Sequence, residues 1–328
     1  MSRILEVRDL VTKFYTLDGI VHAVNGVGFH LDEGETLAIV GESGSGKSVT
    51  MMSLLGLIPS PPGKIEAGKA FFTTDEGTVD LLQMPKDKLR NVRGGQIGFV
   101  FQDPISTLNP IMTIGEQIAE TLIRHLQLSK EEARQHTIKL LGSVGIPDPE
   151  LRYNAYPFQF SGGMRQRVVI AIAISCTPKI IIADEPTSAL DVVIQRQVME
   201  TLDRLQRELD LSGILIGHDM GLMAQFVDQL AVMYAGRLME VCGIREIFAE
   251  PLHPYTSLLI QSLPVLGRKG VFTGIPGITP SLLEPPSGCV FHPRCPYAFD
   301  LCKQEIPAYE QVRPGRWIAC HLHGELPS

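Results

Sequence analysis

No apolar run in this 328-residue chain approaches the roughly 20 positions that a membrane-crossing helix needs. The longest, residues 168–176, is about half that length and already contains Ser175. Stretches of five or six basic residues are also missing. Lys and Arg total 29 against 36 Asp and Glu, a formal net charge of −7, so the electrostatic footprint of a nucleic-acid binder is absent. Residues 1–10 carry Arg3, Glu6, Arg8 and Asp9 and lack the apolar core and cleavage site of a secretory leader, so a cytosolic location is expected. In a reducing compartment the six cysteines are expected as free thiols or metal ligands rather than disulfides. No internal repeat is present. Aromatics are scarce at 6%, but 44% hydrophobic and 20% charged residues make an ordinary folded composition. The length suits one large domain with an appendage, or two domains.

Short β-type runs occupy residues 4–11, 20–31 and 35–40, and the third feeds directly into a glycine-rich turn followed by a helical pattern over 49–57. A strand is expected at 97–101, ending at Gln102, and a helical section runs from Thr113 to about Ser175 with breaks at 145–149 and Pro157. Residues 179–183 form a wholly apolar strand of the kind buried on both faces of a parallel sheet. Alternation continues with a helix at 193–209, a strand at 213–216, a helix at 220–226 and strands at 229–234 and 237–241. The core is therefore α/β. From Pro264 onward the character changes: ten of the 23 prolines fall there, which predicts a loop-rich second module without regular elements.

Gly41-Glu42-Ser43-Gly44-Ser45-Gly46-Lys47-Ser48 fits G-x-x-x-x-G-K-[ST] between a strand and a helix. Its glycines let backbone N–H groups close around phosphate oxygens, Lys47 would reach the β- and γ-phosphates, Ser48 would hold Mg²⁺, and the helix opening through Val49 presents its positive end to the anion. The apolar strand before Asp184 and Glu185 delivers two carboxylates where α/β ligands sit. Asp184 suits Mg²⁺ and Glu185 suits the general base for water attack.

Phe160-Ser161-Gly162-Gly163-Met164-Arg165-Gln166-Arg167 resembles the signature of the ATP-binding-cassette (ABC) ATPases, commonly Leu-Ser-Gly-Gly-Gln, with Phe160 and Met164 as departures. Ser161, Gly162 and Gly163 still open a helix and can face a γ-phosphate. The family's other elements follow in order over roughly residues 1–240. Gln102 is similar to the glutamine that touches Mg²⁺ and the attacking water, Ser188-Ala189-Leu190-Asp191 to the D-loop, and His218 to the switch histidine, with Gly217 where Thr or Ser is usual. The resemblance also implies an aromatic stacked on adenine, for which Phe14 is preferred over Tyr15. It implies an ABC-type P-loop NTPase core with an antiparallel β subdomain, and a helical subdomain inserted at about 111–176. It further implies two cassettes packed head to tail, so that one chain's signature completes the other's ATP site.

Phe101-Gln102-Asp103-Pro104, Ser106-Thr107-Leu108-Asn109-Pro110 and Pro251-Leu252-His253-Pro254-Tyr255-Thr256 resemble the peptide-importer branch, which serves dipeptide, oligopeptide and nickel uptake. That resemblance implies a cassette over 1–250 and an importer-type module over 251–328. The implied partners are a second, related ATPase subunit, two membrane-spanning permease subunits contacting residues near 103–120, and indirectly an extracytoplasmic solute-binding protein. No nucleic acid is expected, and the implied location is peripheral, on the cytoplasmic face of the cell membrane. Cys289, Cys295, Cys302 and Cys320 are separated by 5, 6 and 17 residues. Spacing alone leaves one zinc ion, with His292, His321 and His323 as substitute ligands, a [4Fe–4S] cluster, or free thiols all open. The branch's similar Cys-Val-Phe-His-Pro-Arg-Cys pattern implies the iron–sulfur cluster, with zinc as the alternative. The competing expectation is a soluble, non-transport ABC ATPase that uses the cysteines as its working site.

Overall fold

The structure, a computed structural model, describes residues 2–188, 190–263 and 274–326. Ala189 of the D-loop and Pro264, the expected start of the second module, lie outside the described residues. The chain opens with β1 (Arg3–Thr16), β2 (Gly19–Asp32), β3 (Thr36–Val40), α1 (Lys47–Leu54), β4 (Gly63–Thr74) and β5 (Gly77–Asp80). Next come α2 (Lys86–Val92), β6 (Ile97–Val100), α3 (Pro104–Thr107), α4 (Ile114–Leu126), α5 (Lys130–Ser143), α6 (Pro149–Tyr153), α7 (Gly162–Ile174), β7 (Ile180–Asp184), α8 (Val192–Glu208) and β8 (Ser212–Gly217). The remainder is α9 (Met220–Met223), β9 (Gln229–Tyr234), β10 (Arg237–Gly243), α10 (Ile244–Ala249), α11 (Pro254–Gln261), α12 (Asp300–Gln304), β11 (Glu310–Arg313) and β12 (Arg316–Ile318). Among the described residues no helix is long and apolar enough to cross a membrane.

Two compact units divide the chain. The first comprises Met1–Ser2, Asp32–Thr36 and Met84–Ile216. In it β6, β7 and β8 run parallel, with Ile97 opposite Ile180 and Ile180 opposite Ser212. Every residue of β7 is buried, the pattern of a strand covered on both faces. The helices are set by their ends. Thr113 and Ser129 each form a reciprocal capping box with the glutamate three residues on, which satisfies two N–H groups that the first turn leaves orphaned. Between α5 and α7 the short α6 starts at Pro149, where proline's missing N–H costs no helical bond.

The second unit comprises Arg3–Leu31, Leu37–Gln83 and Gly217–Ser328. One of its sheets is antiparallel, in the order β2-β1-β4-β5, with Leu5 opposite Phe72 and Phe14 opposite Gly63. In the other, β3 pairs in parallel with β9, and β9, β10, β12 and β11 follow antiparallel. Several features differ from the sequence expectation, among them the helices α2, α10 and α11, for which no element is expected. Residues 63–80, for which no element is expected, form β4 and β5. Gly68 interrupts their alternation with φ 116, and a Cβ there would stand 2.7 Å from Leu10 Cα. The proline-rich tail is also not wholly irregular, because Glu240 of β10 faces Ile318 of β12 and the tail thereby extends the sheet of this unit.

Candidate functional site

In the second unit β3, buried at all five positions, delivers the chain to the glycine-rich loop at its carboxyl end. Two glycines there have no substitute. Gly41 passes so close to β9 that a Cβ would lie 2.0 Å from the Met233 carbonyl oxygen. Gly46 caps α1 at φ 97, and a Cβ would meet the Ala23 oxygen at 2.3 Å. The Lys47 ammonium, 5% exposed, donates to the carbonyls of Gly41 at 2.9 Å and Glu42 at 3.0 Å and reaches Ser45 Oγ at 3.4 Å. The loop is thus wound around its own lysine, with Ser43 and Gly44 at its outer bend and Ser48 and Val49 in the first turn of α1. Phe14 is half-buried on β1 opposite Gly63. Tyr15 is exposed and donates its hydroxyl to Glu66 at 2.7 Å.

In the first unit β7 ends in the buried Asp184, and Glu185 follows with a positive φ of 44. That left-handed backbone is uncommon outside glycine, and such strain concentrates at functional positions. The Glu185 N–H donates to the Ile216 carbonyl at 2.9 Å, and its carboxylate accepts Nε2 of Gln102 at 2.8 Å. Ser188 Oγ donates to the Gln102 carbonyl at 3.0 Å. The structure therefore joins Gln102, Glu185 and Ser188, which lie 86 residues apart at the extremes, in one hydrogen-bonded group. Asp103 caps α3 by accepting from the N–H groups of Ile105 and Ser106.

Ser161 caps α7 and accepts from the Met164 N–H at 3.3 Å. A side chain at Gly163 would meet Ile194 Cγ2 at 2.7 Å, so the second glycine is required by the packing of α8. Gly162 is less confined, its nearest neighbour being Leu190 Cδ2 at 3.4 Å. Asp191 caps α8 through the N–H groups of Val193 and Ile194, both at 3.1 Å. His218, in the second unit, is exposed just before α9, which Asp219 caps.

Cys289, Cys295, Cys302 and Cys320 line one small cavity of about 10 Å³, together with His253, His292, His321 and Phe291. Burial pushes the Cys289 thiol up to about 11 and the Cys320 thiol up to about 12, and raises Cys295 as well. The three histidines expected as substitute ligands each already have a partner: His292 Nδ1 at the Cys289 carbonyl, His321 Nε2 at the Glu305 carbonyl and His323 Nδ1 at the Glu310 carboxylate. Among the described residues no three His, Cys, Asp or Glu side chains are placed to hold a single metal ion. Cys176 and Cys242 are buried elsewhere.

The model of the ABC transporter family matches residues 24–188, and that of the oligopeptide/dipeptide transporter C-terminal region matches 239–302. The oligopeptide transport ATP-binding protein OppD of Bacillus subtilis is 48% identical over 330 residues, covering 100% of this chain and 91% of its own length. This chain belongs to the ATP-binding subunits of the oligopeptide/dipeptide ABC transporters. The dipeptide transport protein DppD of the same organism is 47% identical across 98% of the chain and 93% of its own, and OppD of Salmonella typhimurium is 47% identical across 97% and 93%. Among solved structures, a dimeric post-hydrolysis state of the ATP-binding cassette MJ0796, bound to ADP and Pi, has a TM-score of 0.64 at 28% identity, covering 74% of this chain and 99% of that one. The ABC P-loop cassette fold is therefore established.

Two of the three departures from the family pattern, Phe160 and Gly217, have packing causes; nothing in the structure explains Met164. Phe160 of the ABC signature is 3% exposed, with the Arg152 guanidinium 5.6 Å from its ring centroid, so the larger side chain anchors the start of α7. At Gly217, where the family usually has Thr or Ser, a Cβ would stand 2.7 Å from Met223 Sδ. The glycine makes room for that methionine. Sequence reasoning assigned no role to Glu42, Tyr234, Thr279 or Arg294, which surround the foot of the P-loop. The signal available was a charged residue inside each of two otherwise recognised motifs.

Proposed function

We propose that this chain binds and hydrolyses ATP to energise import of di- or oligopeptides through a multisubunit ABC importer. The observation that carries the proposal is its likeness, along the whole chain, to oligopeptide and dipeptide transport ATP-binding proteins, the C-terminal region included. That transporter-type region disfavours a soluble ATPase unconnected with transport. Its partners are a second, related cassette, two membrane-spanning permeases and, through them, an extracytoplasmic binding protein. The chain sits peripherally on the cytoplasmic face of the membrane. Ile105 and Ile111, 68% and 82% exposed between Gln102 and α4, form the apolar contact for a permease helix.

The P-loop N–H groups and Lys47 bind the phosphates, and the aromatic at Phe14 stacks on the adenine. Ser48 would hold Mg²⁺, which would neutralise phosphate charge, and the family resemblance makes Gln102 and Asp184 further Mg²⁺ positions. Glu185 takes the proton of the attacking water, and the Gln102 amide aims its carboxylate. His218 contacts the γ-phosphate. Ser161, Gly162 and Gly163 of one subunit close on the nucleotide of the other beside Asp191, so hydrolysis needs the dimer. Closing with ATP and opening after hydrolysis would be the work stroke.

The four thiols would hold a [4Fe–4S] cluster. What supports the reading is that four thiols, the full ligand set of a cubane, line one cavity. When bound, the cluster would staple a module with few regular elements. Anaerobically purified chain is expected to hold about four irons and four acid-labile sulfides; stoichiometric zinc or no metal defeats the cluster. For the transport role, the chain expressed alone should stay in the soluble fraction and should sediment with membranes when its permeases are present. Failure to sediment with them defeats that role.

A further inference from the structure

The P-loop residue Glu42 is held by groups from α11 and the C-terminal region. Its carboxylate accepts Nη1 of Arg294 at 2.8 Å and the Thr279 hydroxyl, and its N–H donates to the Tyr255 hydroxyl at 3.2 Å. Arg294 is itself fixed: Nη1 also reaches Tyr234 Oη at 3.2 Å, Nε donates to the Pro276 carbonyl at 2.8 Å, and Nη2 to the Ile275 carbonyl at 3.1 Å. The side chains of the pair are 5% and 23% exposed, against 66% and 53% for the helix pair Arg196–Glu200. Partial burial alone would push the Glu42 carboxyl up, but hydrogen bonds from Arg294 and Thr279 and the arginine's charge outweigh it and hold the group below the usual range.

Glu42 faces the phosphate machinery in the other direction, because its carbonyl receives the Lys47 ammonium at 3.0 Å. Arg294 closes the single turn between Cys289 and Cys295, and Phe291 of the same turn packs on Tyr234 and Tyr255, each at 5.2 Å between ring centroids. Cys289 also donates its backbone N–H to the Cys302 carbonyl at 2.8 Å. A continuous run of contacts therefore leads from the cysteine turn through Arg294 and Glu42 to Lys47. Without the guanidinium, a part-buried negative charge would stand unneutralised in the loop that must receive a polyanion.

We propose that Arg294 is a positioning residue for ATP binding, which neutralises and immobilises Glu42, and that liganding of the cysteine turn raises nucleotide affinity by holding Arg294 in place. The second half rests on the cluster proposed above. It is a coupling between two sites in one unit, with the arginine turn as the shared element.

The test uses full-length chain purified without oxygen, a fluorescent ATP analogue with Mg²⁺, and iron and sulfide assays. Arg294→Met is expected to weaken nucleotide binding about tenfold, or about 1.4 kcal/mol, whereas Glu42→Gln, which removes the charge that needs neutralising, should weaken it less, with iron content unchanged in both. The double variant should recover much of the affinity lost in Arg294→Met, since no negative charge is then left unneutralised in the loop. Glu42→Gln leaves the cysteine module intact and guards against misfolding. Cys295→Ser should lose the iron and weaken binding by a similar factor, with no further loss when Arg294→Met is added. Affinity within twofold of wild type in Arg294→Met, or no recovery in the double variant, overturns the positioning role. An iron-free Cys295→Ser chain with wild-type affinity overturns the coupling alone. Iron-free wild-type chain removes the cluster and the coupling together, and the Arg294 and Glu42 variants then decide the positioning role.

Discussion

Replacement of Glu240 by Ala is expected to loosen the C-terminal elements from β10 and to cost about 4–6 kcal/mol. Glu240 is fully buried and its carboxylate accepts three hydrogen bonds: the N–H groups of Leu252 and His253, both at 2.9 Å, and Nη2 of Arg316 at 3.1 Å. It thus ties together β10, the approach to α11 and β12. Truncation leaves two buried N–H groups unpaired, at about 1–3 kcal/mol each, and a guanidinium that is 8% exposed without its main counter-ion, at about 3–5 kcal/mol. These terms overlap, and Glu250 still offers Arg316 its carboxylate at 3.3 Å, so the sum is an upper bound. Amide hydrogen exchange resolves the effect locally, which matters in a chain of two units. Residues 250–261 and 310–318 should lose protection in the variant while β7 keeps it. The joint replacement of Glu240 and Arg316 by Met should recover much of the loss, because no buried charge is then left unpaired. Unchanged protection in Glu240→Ala, or a double variant less stable than the single, would refute the reasoning.

Glu185→Gln should cut steady-state ATP hydrolysis by at least about 100-fold while leaving ATP affinity within a few-fold, since it removes the base but keeps a hydrogen-bonding partner for Gln102. A parallel loss of binding would assign Glu185 to the ground state instead. Gly46→Ala should abolish measurable nucleotide binding, because the added methyl meets the Ala23 oxygen at 2.3 Å and φ 97 is closed to alanine; retained affinity would mean that the loop can shift without cost. Burial keeps the His253 imidazole neutral and pulls its pKa from 6.5 to about 3. As pH falls, the unfolded chain therefore takes up the proton first. Stability from this residue is complete above pH 6.5 and is lost progressively between 6.5 and about 3. His253→Asn keeps a side-chain acceptor for the Tyr255 N–H and removes the titration, so its melting temperature should fall less between pH 7 and 5 than that of wild type. Equal slopes would contradict this.

The parts of the site that were legible in sequence are those in which chemistry dictates residue type at short range. Gly41 to Ser48 must wrap a phosphate, and the apolar residues 180–183 must lead into Asp184. The hydrogen bond between Gln102 and Glu185 was not visible, because 83 residues separate the partners and only the pairing of β6 with β7 brings their ends together. Strand β4 was hidden because Gly68 breaks its alternation where β1 and β4 slip register. Strands β11 and β12, of four and three residues, exist only by pairing, β12 with β10 and β11 with β12, so no local propensity marks them. The pair Arg294 and Glu42, 252 residues apart, is legible only in three dimensions.

The most direct test of the central claim is uptake of a labelled tripeptide by cells that carry the permeases, binding protein and partner cassette but lack this chain. Wild-type chain is expected to restore ATP-dependent uptake, and Glu185→Gln, expressed and membrane-bound at the same level, is expected not to. Equal uptake with the two proteins, or no uptake with either while the other subunits are intact, would contradict the claim that hydrolysis by this chain drives peptide import.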